Sequence, residues 1–338
     1  MHLLVVHAAT WSSSFQGLHR YRCCNRCAVR AVLQDDDLAA WIASRGGCSS
    51  VSIATRDGLR GLVANQDAAV GDVLLSVPMI SVMCDASRGS DQLPGAAPTW
   101  AASLPSKVQL AMLTHMHAPS SEWAPFLRSW PSAAPSSPSD ADLLALSCAV
   151  GRSDSSADPH TSLCRTWARS TTSAWIDEQY ALATELYAQS HGDDTQAGGA
   201  FPTRDAFHSL MRLVGSRCLR LSAGPFGTRA LLVPLLDMAN HDGVAPSALY
   251  AFSPEEVADS STADGAPPLV GRPASIQLIA ARPLRADEAV TISYGEHTNA
   301  EFVRSYGFVP LANPHDCEVI SLRGLLEAAV SMTPTKMS

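Results

Sequence analysis

From residue 35 onward the chain changes between two apolar spacings. In RDAFHSLMRLVGSR (204–217), Phe207, Leu210, Met211 and Val214 stand at i, i+3, i+4 and i+7, the stripe of an amphipathic helix. WIDEQYALATELYAQ (175–189) predicts a second helix. Asp35 to Asp37, followed by Leu38, Trp41 and Ile42, predicts a short one that Gly46-Gly47 stops. The spacing is different in SVSIATRDGLRGLVANQDAAVGDVLLSVPM (50–79), which reads as short strands punctuated by Asp-Gly and Val-Gly-Asp turns. SIQLIAARPLRADEAVTISYG (275–295) repeats that design, with Arg-Ala-Asp-Glu at the turn. Two separated β blocks therefore bracket a mainly helical middle. The stretches 132–140, 191–199 and 253–273 are rich in Pro, Gly, Ser and Asp and read as surface loops.

Composition narrows the class. With 338 residues and 46% hydrophobic positions, the chain can bury a sizeable core in one large domain or two ordinary ones. No apolar run approaches the length of a membrane span. A net charge of -8 argues against bulk contact with nucleic acid or an anionic membrane, which leaves a protein or a small molecule as partner. Of the nine cysteines, Cys23, Cys24 and Cys27 cluster without a second Cys/His pair to close a zinc site, so they read as reduced thiols and no metal is expected. Residues 1–34 carry Arg20, Arg22, Arg26 and Arg30, several serines and no acid. That is the composition of an organelle transit peptide, such as one for the chloroplast, with a disordered tail or a misassigned start as the alternative and the cytoplasm as the default location.

Candidate chemistry concentrates in LLVPLLDMANHDG (231–243), where an apolar run ends in Asp237, Asn240 and His241. Taken in order, LRGLVA (59–64), EWAPFLRSWP (122–131), LVGSRCL (213–219), VPLLDMANHD (233–242), ADEAVTISYG (286–295) and TNAEFVRSYGFVP (298–310) resemble the SET-domain protein methyltransferases. The branch is that of the Rubisco large-subunit lysine methyltransferase, and the resemblance runs over about residues 36 to 312. It implies an α+β fold: a mainly β core of short sheets with a knot-like crossing, split by a helical insertion at about 100–210. It also implies S-adenosyl-L-methionine as methyl donor and a protein side chain as acceptor.

Residue by residue, the resemblance places Asn240 and His241 against the cofactor, where a fixed backbone can read adenine and an amide can serve the methionine end. For His241 alone, a satisfied core histidine is the other reading. Asp237 either contacts the cofactor or caps the turn to Asn240. Tyr294, in ISYG, matches the catalytic tyrosine, and its aromatic face and oxygen suit a positive charge moving from sulfur to nitrogen. Tyr306, which also borders the cofactor, and Phe308 match the walls of the acceptor channel, or else are ordinary core aromatics. Arg217 matches an arginine near the cofactor carboxylate and the substrate entrance, against a solvated helix-end arginine. Leu59, Arg60 and Gly61 match a loop whose backbone comes close to the cofactor.

The sequence also departs from the family. Arg56, Asp57 and Gly58 stand where a glutamate often precedes the loop glycine, which puts the acidic contact in doubt or passes it to Asp57. Beyond the YGF motif only Cys317 follows, against the cysteine-rich zinc cluster of the histone-modifying branch. Residues 313–338 read as the start of a truncated helical substrate-binding region. The expected activity is protein-lysine methylation on a non-histone protein. Protein-histidine methylation and a catalytically silent interaction module are the alternatives, and a hydrolase centred on His241 is weakened by the lack of a nucleophile elbow.

Overall fold

Strand β1 (Cys48–Ser49) opens a β segment whose first hairpin pairs β2 (Val51–Arg56) with β3 (Leu59–Ala64), from Val51 opposite Ala64 to Arg56 opposite Leu59. Gly58 turns it at φ +78, backbone that glycine adopts without steric cost. The computed structural model describes residues 36–56, 58–86, 95–117, 121–131, 159–191, 201–255, 273–310 and 313–316, the side chains of 36, 159–172, 226, 300 and 304 excepted. The expected transit segment, the three-cysteine cluster, Asp57, the 132–140 loop, most of the other two loops and the chain beyond 316 lie outside them.

Among the described residues the strands form three sheets. The first has the order β1, β4 (Val73–Pro78), β10 (Ser275–Ala280), β9 (Ala248–Ser253), and the second β2, β3, β11 (Ala289–Ile292), β8 (Asn240–His241). The third is β5 (Met83–Cys84), β7 (Thr228–Leu232), β6 (Leu219–Ser222). The two β blocks read from the sequence thus interleave. β10 lies between β4 and β9, and β11 adds to β3. The Arg-Ala-Asp-Glu turn before β11 holds Asp287 at φ 63, with the Glu288 carboxylate accepting from the Arg285 amide at 3.0 Å.

The helices are α1 (Asp36–Ser44), α2 (Ser106–Met116), α3 (Ala124–Arg128), α4 (Pro159–His191), α5 (Arg204–Gly215) and α6 (Asn299–Tyr306). In α1, Leu38 and Ile42 are buried as their spacing predicts. The Thr203 hydroxyl caps α5 by accepting from the Ala206 amide, and Phe207, Met211 and Val214 enter the core against α2 and α4. At 33 residues α4 is longer than the sequence stretch that announced it, with Ile176, Ala183 and Tyr187 on its buried face. A capping box of Thr298 and Glu301 starts α6, and Gly307 ends it in the left-handed conformation. α6 packs against α4 and α5, which brings the YGF segment beside the end of α5.

Candidate active site

Strand β8 is two residues long, and both are expected site residues. It pairs in parallel with β11, Asn240 opposite Thr291 and His241 opposite Ile292, and the Asp242 amide extends the ladder to the Ile292 carbonyl at 3.0 Å. On the far side of β11 lies β3, with Val290 opposite Leu62. The NH block, the strand that leads into ISYG and the LRGLVA segment are therefore three neighbouring strands.

Asn240 uses its amide to cross this junction, its Nδ2 donating to the Arg60 carbonyl at 3.2 Å. A Cβ on Gly61 would lie 2.3 Å from the same Nδ2, so any larger residue there displaces the Asn240 side chain. The structure thus gives Gly61 a partner the sequence did not indicate, the Asn240 amide. Leu59 is 62% exposed, with its side chain to solvent. Arg60 sends Nη1 to the Ser129 carbonyl at 2.7 Å, just beyond α3.

His241 holds Tyr294. Its Nδ1 accepts from the Tyr294 backbone N–H at 3.1 Å, which requires that nitrogen to be unprotonated. Burial depresses the His241 pKa and nearby His297 adds to the effect against the pull of Asp242, so the neutral ring this bond needs is favoured. The Tyr294 hydroxyl donates to the Ala239 carbonyl at 2.9 Å. Burial pushes its phenol up to about 12, opposed by Arg217 and reinforced by Asp237, so at neutral pH it is a protonated donor rather than a base.

Around Tyr294 the walls are aromatic. Its ring centroid is 4.6 Å from that of Tyr306 and 5.1 Å from that of His241. Phe302 stands 4.8 Å from His241 and 5.6 Å from both Tyr306 and Phe308. His297 meets Phe302 edge-on at 5.7 Å. Burial also raises the Tyr306 phenol, with Tyr294 adding to the shift. The expected trio of Tyr294, Tyr306 and Phe308 is thus brought together, and Phe302 and His297 join it unannounced. Both lie between the ISYG and YGF blocks, and their proximity to the motifs was the available signal.

The charged side of the site begins just past α5. Arg217 Nη1 donates to the Asp237 carboxylate at 3.2 Å and to the Asp237 carbonyl at 3.3 Å, and lies 3.1 Å from Met238 Sδ. The Asp237 side chain is 0% exposed and that of Arg217 13%. Asp237 sits in the turn Leu236–Met238, entered through Leu235 at φ 64, and its carboxylate caps nothing there. It accepts instead from Arg217 and from the indole N–H of Trp130, at 3.0 Å. Burial raises the Asp237 pKa, opposed by Arg217, Trp130 and more distant Arg60. Asp237 Oδ1 and Arg217 Nε are buried without a hydrogen-bond partner. Trp130 lies within EWAPFLRSWP, but neither its spacing nor its neighbours in sequence point at Asp237. Among the described residues no group of three His, Cys, Asp or Glu side chains is placed to hold a metal.

No protein-family model matches the chain, and no curated protein sequence matches it. Solved structures do. The chain is similar to the SET domain of LSMT bound to lysine and AdoHcy, with 18% identity and a TM-score of 0.56 over 82% of this chain and 57% of that one. It is also similar to Rubisco LSMT bound to AdoMet, with 17% identity and a TM-score of 0.53 over 83% of this chain. Rubisco LSMT bound to sinefungin and monomethyllysine matches at 16% identity and a TM-score of 0.52. The chain spans under three fifths of the length of these proteins, 57% in each of the three. Among the described residues, three short sheets, the second closed by the parallel β8–β11 pairing, give this chain the fold of the SET domain.

Proposed function

We propose that the chain is an S-adenosyl-L-methionine-dependent protein methyltransferase whose acceptor is a lysine side chain of a non-histone protein. The observation that carries this reading is the β8–β11 pairing, which sets Asn240 opposite Thr291 and His241 against Tyr294 inside an aromatic enclosure. Its fold neighbours were crystallised with AdoHcy, AdoMet, lysine or methyllysine, which supports the same ligands here.

The residues present fit such a cofactor. Asn240 and His241 would hold it along β8, while Arg217, with a buried Nε that has no partner, suits its carboxylate. The backbone of Leu59, Arg60 and Gly61 forms the adjoining strand. When bound, the cofactor supplies an activated methyl on a sulfonium. The protein's part is electrostatic and positional. Tyr294 keeps its proton, donates it in a hydrogen bond to the Ala239 carbonyl, and presents its remaining lone-pair capacity and ring face to the cationic centre. Tyr306, Phe302 and Phe308 keep water from the acceptor amine, and desolvation favours the neutral nucleophile that methyl transfer needs.

The test has two stages. Calorimetry with S-adenosylhomocysteine in the presence of a chelator shows binding, and a folded sample that binds nothing overturns the reading. Incubation with labelled S-adenosylmethionine and a cell extract, followed by mass spectrometry, identifies the acceptor. Methyl on lysine supports the proposal, and methyl on histidine replaces the acceptor while keeping the reaction.

A further inference from the structure

Trp130 occupies the turn that follows α3, its ring edge-on to fully buried Phe126 at 5.5 Å and 84°. Two features of this side chain point the same way. Its indole N–H donates to Asp237 Oδ2, the oxygen that also receives Arg217. Its ring lies under the Arg217 guanidinium, 5.5 Å from ring centroid to Cζ, within the range of a cation–π contact. One residue therefore touches both members of a buried ion pair, one by a hydrogen bond and the other by its π face.

The pair needs such support. A carboxylate without exposure is costly unless it is paired and hydrogen-bonded, and Asp237 has no partner on Oδ1. Among the described residues its side-chain donors within hydrogen-bond reach are Arg217 and Trp130. Arg60 of β3 is the other cation acting on it, and Tyr294 beside β11 is a titratable group on which both Asp237 and Arg217 act. Without the indole, Asp237 loses a donor that favours its charged form, and Arg217 loses both its π platform and part of its counter-charge.

We propose that Trp130 is a positioning residue of the site, fixing the Asp237–Arg217 pair in the orientation that engages the cofactor and acceptor. The proposal rests on the methyltransferase reading, because it is that reading which gives the pair a ligand. Trp130 does not itself touch the reacting atoms.

The experiment measures S-adenosylhomocysteine affinity by calorimetry between about pH 5 and pH 8 on the full chain. Trp130→Phe keeps a ring and drops the N–H. Acidification weakens binding through His241 and through Asp237, whose pKa burial raises, and the Asp237 part of that weakening is expected to begin about one pH unit higher than in the wild type, the scale of one hydrogen bond to a charged group. In an Asp237→Asn background the same Trp130→Phe change is expected to shift nothing. Should Trp130→Phe misfold, 3-benzothienylalanine placed at position 130 by suppression keeps the shape and replaces only the N–H by sulfur. Coincident acid limbs, or a shift that persists in the Asp237→Asn background, overturn the proposal. A wild-type chain that binds no S-adenosylhomocysteine overturns the underlying reading instead, so the two failures are told apart.

Discussion

Two acid–arginine pairs in this molecule are built from the same parts and do opposite things. Between α4 and α5, Asp177 receives both Nε and Nη2 of Arg204, at 2.7 and 2.6 Å, together with His208 Nε2 at 2.7 Å. At the site, Asp237 receives one arginine nitrogen at 3.2 Å and an indole. By geometry the first pair is the better one. Yet the hydrogen bonds from Arg204 and His208 pull Asp177 down to about 2, whereas burial pushes Asp237 up. Solvent reaches both members of the first pair and screens it, while the carboxylate of the second is fully buried. Surroundings rather than partners decide which pair is a surface clip and which is a costly buried element.

The largest effect is expected from breaking the buried pair. Asp237→Ala strands Arg217, and denaturant unfolding should show a loss of about 3–5 kcal/mol. Arg217→Met combined with Asp237→Leu should recover most of that stability while abolishing cofactor binding. A double variant that binds S-adenosylhomocysteine normally would remove the pair from the site. Next, Tyr294→Phe deletes the hydroxyl bonded to Ala239 but keeps the ring against Tyr306. Turnover should fall roughly 100- to 1,000-fold with cofactor affinity retained. Near-normal methyl incorporation at saturating cofactor would make Tyr294 a packing residue.

A smaller change is expected at β8. Asn240→Ala removes the bridge to the Arg60 carbonyl and should weaken S-adenosylhomocysteine binding by about 1–3 kcal/mol in calorimetry. The smallest effect belongs to the exposed pair. Because the Asp177 pKa is depressed, whatever stability it confers is present above its ordinary value and is lost as pH falls toward about 2. Asp177→Asn should therefore lower the melting temperature slightly at pH 7, and about 1 M salt should erase the difference. The deficit of Asp237→Ala should persist in the same salt. Equal salt sensitivity in the two variants would collapse the contrast.

Much of this contrast was legible in the sequence on one side only. The stripe of Phe207, Met211 and Val214 announced α5, and the Asp-Gly and Arg-Ala-Asp-Glu turns announced the hairpins, because these depend on near neighbours in the chain. Asn240, His241, Tyr294, Tyr306 and Phe308 were named through motif blocks, and the fold gathers them. What the sequence did not disclose is pairing across distance. Nothing in EWAPFLRSWP says that Trp130 meets Asp237, and nothing near Gly61 says that the Asn240 amide will fill the space a Cβ would take. Asp237 was open between a turn cap and a ligand contact because both readings need only an acid after an apolar run. Its burial and its arginine are three-dimensional facts.

The hydrogen bond between His241 and the Tyr294 amide joins residues 53 apart in the chain, through the shortest of parallel ladders. Parallel strands cannot be closed by a tight turn, and the loop entropy of bringing such distant segments together precedes any reward from the contact. Contacts of that range set folding speed more than local helices do. In refolding, α1 and α5 should regain their circular-dichroism signal before the site exists, and cofactor binding should return as a later, slower phase. On the methyltransferase reading, activity is therefore tied to completion of the topology: an intermediate with its helices and hairpins formed but β8 not yet docked on β11 lacks the candidate site altogether.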